Sequence, residues 1–222
     1  MSGPRKIVEA IQNLQFERTF NPYTDQCEVY DRPESADLRA KILLTMLEAA
    51  EKTSVDAIWI GRDLGHKGGR RTGLALTDDL SFGRHLARWN INIDRPTSTC
   101  VKEQTATVIW EMLEHIKEAV FLWNVFPLHP YPIGDQLANR THSAVERKAG
   151  ERILFLICEL ISPNKIVAIG NDAAKCASRL WPEKKINKVR HPSYGGKKDF
   201  CNGIQNLYNI QVSERQPSLF SS

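Results

Sequence analysis

A chain of 222 residues with 41% hydrophobic composition has enough apolar material for one compact core, and its net charge of +4 with a pI near 8.8 is a mild basic lean, compatible with nucleic acid without establishing it. Five scattered cysteines (Cys27, Cys100, Cys158, Cys176 and Cys201), never spaced as C-x-x-C, argue against a zinc site, a disulfide framework or a cluster-binding motif. No apolar segment follows Met1 and no run is long enough to cross a bilayer, so the expectation is a soluble cytoplasmic protein with no metal or other cofactor.

The first 35 residues mix aromatics, Pro22, Pro33 and charges, and read as an irregular segment carrying one short helix over 6–15. Residues 36–52 place Leu38, Ile42, Leu43, Met46, Leu47 and Ala50 on one helical stripe. Val55-Asp56-Ala57-Ile58-Trp59-Ile60 reads as a buried strand. Asp78 or Asp79 is placed to cap a helix reaching Trp89, residues 91–101 read as loop, and 103–117 as helix. Ala119-Val120-Phe121-Leu122-Trp123 is a second strand ending at Asn124, after which Pro127 and Pro130 stop regular structure. A long helix over 142–161 leads to a third strand over 165–170. Asn171 or Asp172 then caps a helix to Leu180, a short strand covers 186–190, and a last helix covers 199–208. Residues 211–222 read as a flexible tail. Strands alternating with helices imply a single domain over 1–222, a three-layer α/β/α sandwich around a mostly parallel four-stranded sheet. Ligands of such sheets bind beyond the carboxyl ends of the strands.

The unusual residues lie at those strand exits. Gly61-Arg62-Asp63-Leu64-Gly65-His66 follows the first strand and continues through Lys67-Gly68-Gly69-Arg70-Arg71-Thr72-Gly73-Leu74-Ala75-Leu76-Thr77. Glycines allow sharp turns and close approach to a ligand, and the cations form an anion-attracting rim. The segment has neither the Gly-Lys-Ser/Thr ending of a P-loop nor the dinucleotide glycine spacing. Asn124 ends the second strand, and His191-Pro192-Ser193-Tyr194-Gly195-Gly196 follows the fourth, within a second basic cluster that includes Arg190, Lys197 and Lys198.

Together these residues resemble the uracil-DNA glycosylase superfamily. Gly61 to His66 is similar, without a gap, to the family's G-Q-D-P-Y-H segment, and Gly73-Leu74-Ala75-Leu76-Thr77 to the G-L-A-F-S after it. Phe121-Leu122-Trp123-Asn124 looks like the strand ending in the base-reading asparagine, and His191-Pro192-Ser193 like the H-P-S motif. The resemblance implies a monofunctional DNA glycosylase, in which Asp63 stabilises the sugar cation and orients water while neutral His191 donates to the departing base. It further implies a base pocket of Gly61, Gly65, His66, Leu76 and Asn124. Arg62, Lys67, Arg70, Arg71, Ser193, Tyr194 and Lys197 are expected to contact DNA, with the target nucleotide flipped out or single-stranded and the protein acting as a monomer.

Gly65 replaces a tyrosine that crowds the base 5-position in the uracil-specific branch, Leu76 replaces a stacking phenylalanine, and Tyr194 stands nearest the position of the inserting leucine. Loss of the tyrosine removes a clash against 5-substituents. Three readings follow: excision of uracil or a damaged pyrimidine; antiviral excision of a bulky 5-modified cytosine from phage DNA, glucosylated hydroxymethylcytosine for example; or a non-catalytic DNA-binding module. His66 and His129 are each consistent with pocket lining or with a structural role, and Trp59 and Trp123 are expected in the core.

Overall fold

A computed structural model describes residues 3–210, so the expected tail over 211–222 lies outside the described residues. The elements in chain order are α1 (Pro4–Gln12), β1 (Thr19–Phe20), α2 (Ser35–Glu51), β2 (Ala57–Gly61), α3 (Gly69–Thr72), α4 (Phe82–Ala87), α5 (Gln104–Leu113), β3 (Val120–Asn124), β4 (His129–Pro130), α6 (Ala144–Ile161), β5 (Lys165–Ile169), α7 (Asn171–Leu180), β6 (Ile186–Val189) and α8 (Lys197–Tyr208). The main sheet has the order β3-β2-β5-β6, with every pairing parallel.

Strand periodicity builds the three layers. Ile58, Ile60, Phe121, Trp123, Ile166 and Ala168 face a core shared with α1, α2, α6 and α7. The alternate residues Ala57, Trp59, Val120, Leu122, Val167 and Ile169 face a second core closed by α5 and α8. Both faces are therefore dry, which is why these strands read as continuous apolar runs rather than as alternating ones. Trp59 and Trp123 are core residues, 0% and 3% exposed. Among the described residues no helix is long and apolar enough to cross a membrane.

Three local features depart from the sequence expectation. The segment after β3 is not wholly irregular: His129 and Pro130 pair antiparallel with Phe20 and Thr19. Proline can sit in this ladder because a two-residue strand has only edges. The helix expected to reach Trp89 ends at Ala87, and its N-cap position belongs to Ser81, whose N–H donates to Asp78 Oδ1 at 2.8 Å. Asn171 is the first helical residue of α7, with Gly170 at the cap in a left-handed conformation (φ +91°). A side chain at 170 would crowd His191, its Cβ standing 3.3 Å from that of the histidine.

Candidate active site

The sheet order places the chain reversal between β2 and β5, the position beyond the strand ends at which ligands of such sheets bind. Contacts run continuously along this rim. Gly61 is the register partner of Asn124, and any side chain on Gly61 would collide with Asn124 Oδ1. Arg62, next in sequence, reaches Asp63 Oδ2 at 2.8 Å and Asp172 of α7 at 3.5 Å. Gly170 then supports His191. With strands ~4.8 Å apart, three spacings put the β3 and β6 ends ~14 Å apart.

Asp63 is held on both oxygens. Arg62 Nε occupies Oδ2, and His142 Nδ1 bonds to Oδ1; the Asp63 and His142 side chains are each 7% exposed. A carboxylate only accepts, so the imidazole donates to it from Nδ1. His142 is fixed from the helix that follows it. Ser143 and Glu146 form a reciprocal capping box at the start of α6. Arg140 grips Glu146 with bonds of 2.6 and 2.8 Å and also bonds the carbonyls of Arg18 and Tyr131, each at 3.1 Å. Neither His142 nor Arg140 stands out in the sequence; the S-x-x-E signature at 143–146 was the available signal for a rigidly placed residue just ahead of it.

Asn124 is 1% exposed, yet neither its amide nitrogen nor its oxygen has a hydrogen-bond partner among the described residues. A buried amide without partners is costly unless something binds it. Leu76 borders the same spot, its Cδ2 2.9 Å from where a Gly61 Cβ would sit, and it holds a left-handed backbone (φ +56°) secured by a bond from Trp110 Nε1 to its carbonyl at 3.1 Å. Backbone of this kind persists only where the surroundings impose it.

His191 Nδ1 receives the Ser193 hydroxyl at 2.8 Å and the Ser193 N–H at 3.2 Å. A nitrogen that accepts a backbone N–H carries no proton, so the ring proton resides on Nε2. Burial, reinforced by the Arg62 and Arg190 charges, lowers the His191 pKa below its ordinary value, which keeps the ring neutral at pH 7. Ser193 is thus committed to orienting His191. Beside it Tyr194 is 97% exposed in a left-handed turn, on the lip of a groove of about 740 Å³ that runs to the start of α5. Lys197 lines the same groove and pairs with Glu111 at 2.8 Å.

The cationic rim is smaller than the sequence implies. Lys67 is exposed and Arg62 is 42% exposed at its side chain, but Arg70 and Arg71 are buried, 1% and 5% exposed. Arg70 lies over the Phe20 ring at 3.9 Å and bonds the Tyr30 hydroxyl. Arg71 pairs with buried Asp79 at 2.7 Å. Both brace the glycine loop against the N-terminal segment. His129 is structural too: 0% exposed, its neutral ring donates from Nδ1 to the Leu64 carbonyl at 2.8 Å, with Nε2 3.3 Å from the Gln136 carbonyl, and burial takes its pKa down to about 4. His66 is half-buried at the loop edge, with its N–H on Asn139 Oδ1 at 2.9 Å. The space that Gly65 leaves is not empty, because the Glu103 carboxylate stands 3.2 Å from the position its Cβ would take.

The model of the Uracil DNA glycosylase superfamily matches residues 50–207, the stretch that carries all four strand exits. No curated protein matches the chain. The crystal structure of wild-type SMUG2 from Pedobacter heparinus superposes with a TM-score of 0.57 at 16% identity, over 94% of this chain and 97% of that one, a likeness of fold. With the match spanning well over half of its residues, the chain belongs to the uracil-DNA glycosylase superfamily and is a DNA glycosylase, a hydrolase of N-glycosyl bonds.

Proposed function

We propose that this glycosylase acts as a monomer on a pyrimidine nucleotide turned out of the DNA stack, and that it leaves an abasic site without breaking the strand. The observation that carries the reading is the buried, partnerless amide of Asn124 at the end of β3, on the same strand-end rim as a doubly held carboxylate after β2 and an oriented neutral imidazole after β6. The C1′–N1 bond breaks with both electrons moving to the base. Asp63 faces the resulting cation at C1′, and His191 Nε2–H donates to the oxygen on which the base anion's charge collects. Water adds at C1′ and gives up its proton to the carboxylate that His142 aligns. Asn124 offers a donor and an acceptor to the polar edge of the pyrimidine. Lys67, Arg62 and Lys197 supply charge for phosphates, and Tyr194 is the projecting side chain suited to fill the place of the flipped nucleotide.

The test uses oligonucleotides, single- and double-stranded, carrying uracil, 5-hydroxymethyluracil, cytosine, 5-hydroxymethylcytosine or its glucosylated form, with hot alkali to reveal abasic sites. Asp63→Asn and His191→Ala are each expected to lower turnover about 10²- to 10⁴-fold while leaving DNA affinity within a few-fold. Wild-type turnover in both variants rejects the mechanism. Loss of affinity together with turnover would instead point to a folding defect. A polar group at the Gly65 gap, rather than an aromatic wall, favours modified pyrimidines as a second reading, and release of the glucosylated base by the wild type would select the antiviral substrate class.

A further inference from the structure

Besides Asn124, a second polar side chain is set against the glycine loop. Glu103 is the N-cap residue of α5, yet its side chain makes no capping bond to that helix. It turns onto the loop: a Cβ on Gly65 would stand 3.2 Å from Oε1, and one on Gly68 2.5 Å from Oε2. Its backbone is pinned from behind, with the N–H donating to Asp78 Oδ2 at 2.8 Å. Burial, with the Asp78 carboxylate close by and Lys67 acting in the opposite sense, raises the Glu103 pKa to about 7. Among the described residues no hydrogen bond or ion pair reaches this carboxylate.

Asn124 and Glu103 stand in parallel. Each rests on glycine of the same loop, Asn124 on Gly61 and Glu103 on Gly65 and Gly68. Residues 76 and 77 lie between them, Leu76 Cδ2 against Gly61 and the Thr77 carbonyl 3.2 Å from the Gly68 Cβ position. A side chain at 65 or 68 would displace the carboxylate, so the glycines and the acid form one device. An ionised carboxylate only accepts hydrogen bonds, and one set in a half-buried position against the loop favours a ligand group that brings it a donor.

We propose that Glu103 is a specificity-determining residue of the base pocket, accepting a hydrogen bond from an N–H or O–H donor on the target pyrimidine and so selecting donor-bearing bases over uracil. The donor is an exocyclic amine or a hydroxyl on a ring substituent, since both present the same chemistry to a carboxylate. Against Glu103 the 4-carbonyl of uracil would set acceptor against acceptor. This inference rests on the glycosylase reading of the same site.

The experiment measures base release by wild type, Glu103→Gln and Glu103→Leu from oligonucleotides carrying uracil, 5-hydroxymethyluracil or cytosine. Wild type is expected to favour a donor-bearing base, cytosine if the donor is the amine and 5-hydroxymethyluracil if it is the hydroxyl. Glu103→Leu should shift the ratio towards uracil by about 10- to 100-fold, the worth of one hydrogen bond to a charged group. Glu103→Gln keeps an acceptor and the shape, so it should retain part of the preference. The wild-type preference should also rise from pH 6 to pH 8 as the acid ionises, and Glu103→Gln should abolish that rise. An unchanged substrate ratio in Glu103→Leu overturns the proposal. If no enzyme releases any base, the glycosylase reading fails on its own. Affinities for the same oligonucleotides with uncleavable 2′-fluoro nucleotides then decide on Glu103, and equal discrimination by wild type and Glu103→Leu overturns it there too.

Discussion

His142 illustrates how one side chain can be decisive without touching the reacting bond. Its Nδ1 holds Asp63 on one oxygen while Arg62 holds the other, so the carboxylate cannot rotate away from the rim. His142→Ala frees one oxygen and removes the donor that aligns the carboxylate, so kcat should fall about 10²-fold with KM nearly unchanged. His142→Gln, still able to donate to Asp63, should recover part of that loss. Steady-state kinetics from pH 5 to 8 distinguish this from a packing defect, which no conservative replacement would repair. Equal kcat in His142→Ala and wild type would remove the dyad from the mechanism.

At the scale of elements, the glycine loop is a rigid turn bolted to the N-terminal segment. Tyr23 donates to the Gly73 carbonyl at 2.7 Å, Arg39 donates to the Arg71 carbonyl at 2.8 Å, and Arg39 pairs with Asp31 in full burial. The four cations of this loop therefore divide into two kinds, which mutation can separate. Lys67→Ala should weaken DNA binding evenly across sequences and reduce the salt slope of log affinity by about 1. Arg71→Ala should leave that slope unchanged and cost about 3 kcal/mol of stability, because Asp79 loses its charge partner in burial. Salt titrations of affinity and urea melts measure the two effects. A salt slope altered by Arg71→Ala and untouched by Lys67→Ala would reverse the assignment.

For the whole molecule, buried titratable groups set the response to acid. Burial holds His85 at a pKa of about 3 and His129 at about 4, whereas the unfolded chain takes up protons near 6.5. Both histidines are depressed bases, so the stability they confer is present above 6.5 and is lost as the pH falls towards 4. Glu103 has the opposite sign. Its raised pKa lets the folded chain hold an extra proton between about 4.5 and 7, which favours folding on acidification. Where the windows overlap, from about pH 4.5 to 6.5, two protons against one leave a net loss of ~1.4 kcal/mol per pH unit. Tm should therefore drop between pH 7 and pH 5, and Glu103→Gln, lacking the opposing group, should drop more steeply while being the more stable at pH 8. A shallower fall in that variant would contradict the sign assigned to Glu103.

The sequence by itself determined the layered α/β class, the four sheet strands to within two residues at either end, and the positions of Asp63, Asn124 and His191 at strand exits. Those features are local: apolar runs flanked by turn residues fix strands, and a parallel sheet sends all its carboxyl ends to one side. The tertiary structure decided what depends on residues distant in sequence. It buried Arg70 and Arg71 against Phe20, Tyr30 and Asp79, joined His142 to Asp63 across 79 positions, and laid Glu103 in the space left by Gly65. A charge run reads the same whether it faces water or an aromatic cage. Which of the two it meets depends on where the rest of the chain packs, and no local pattern of residues encodes that.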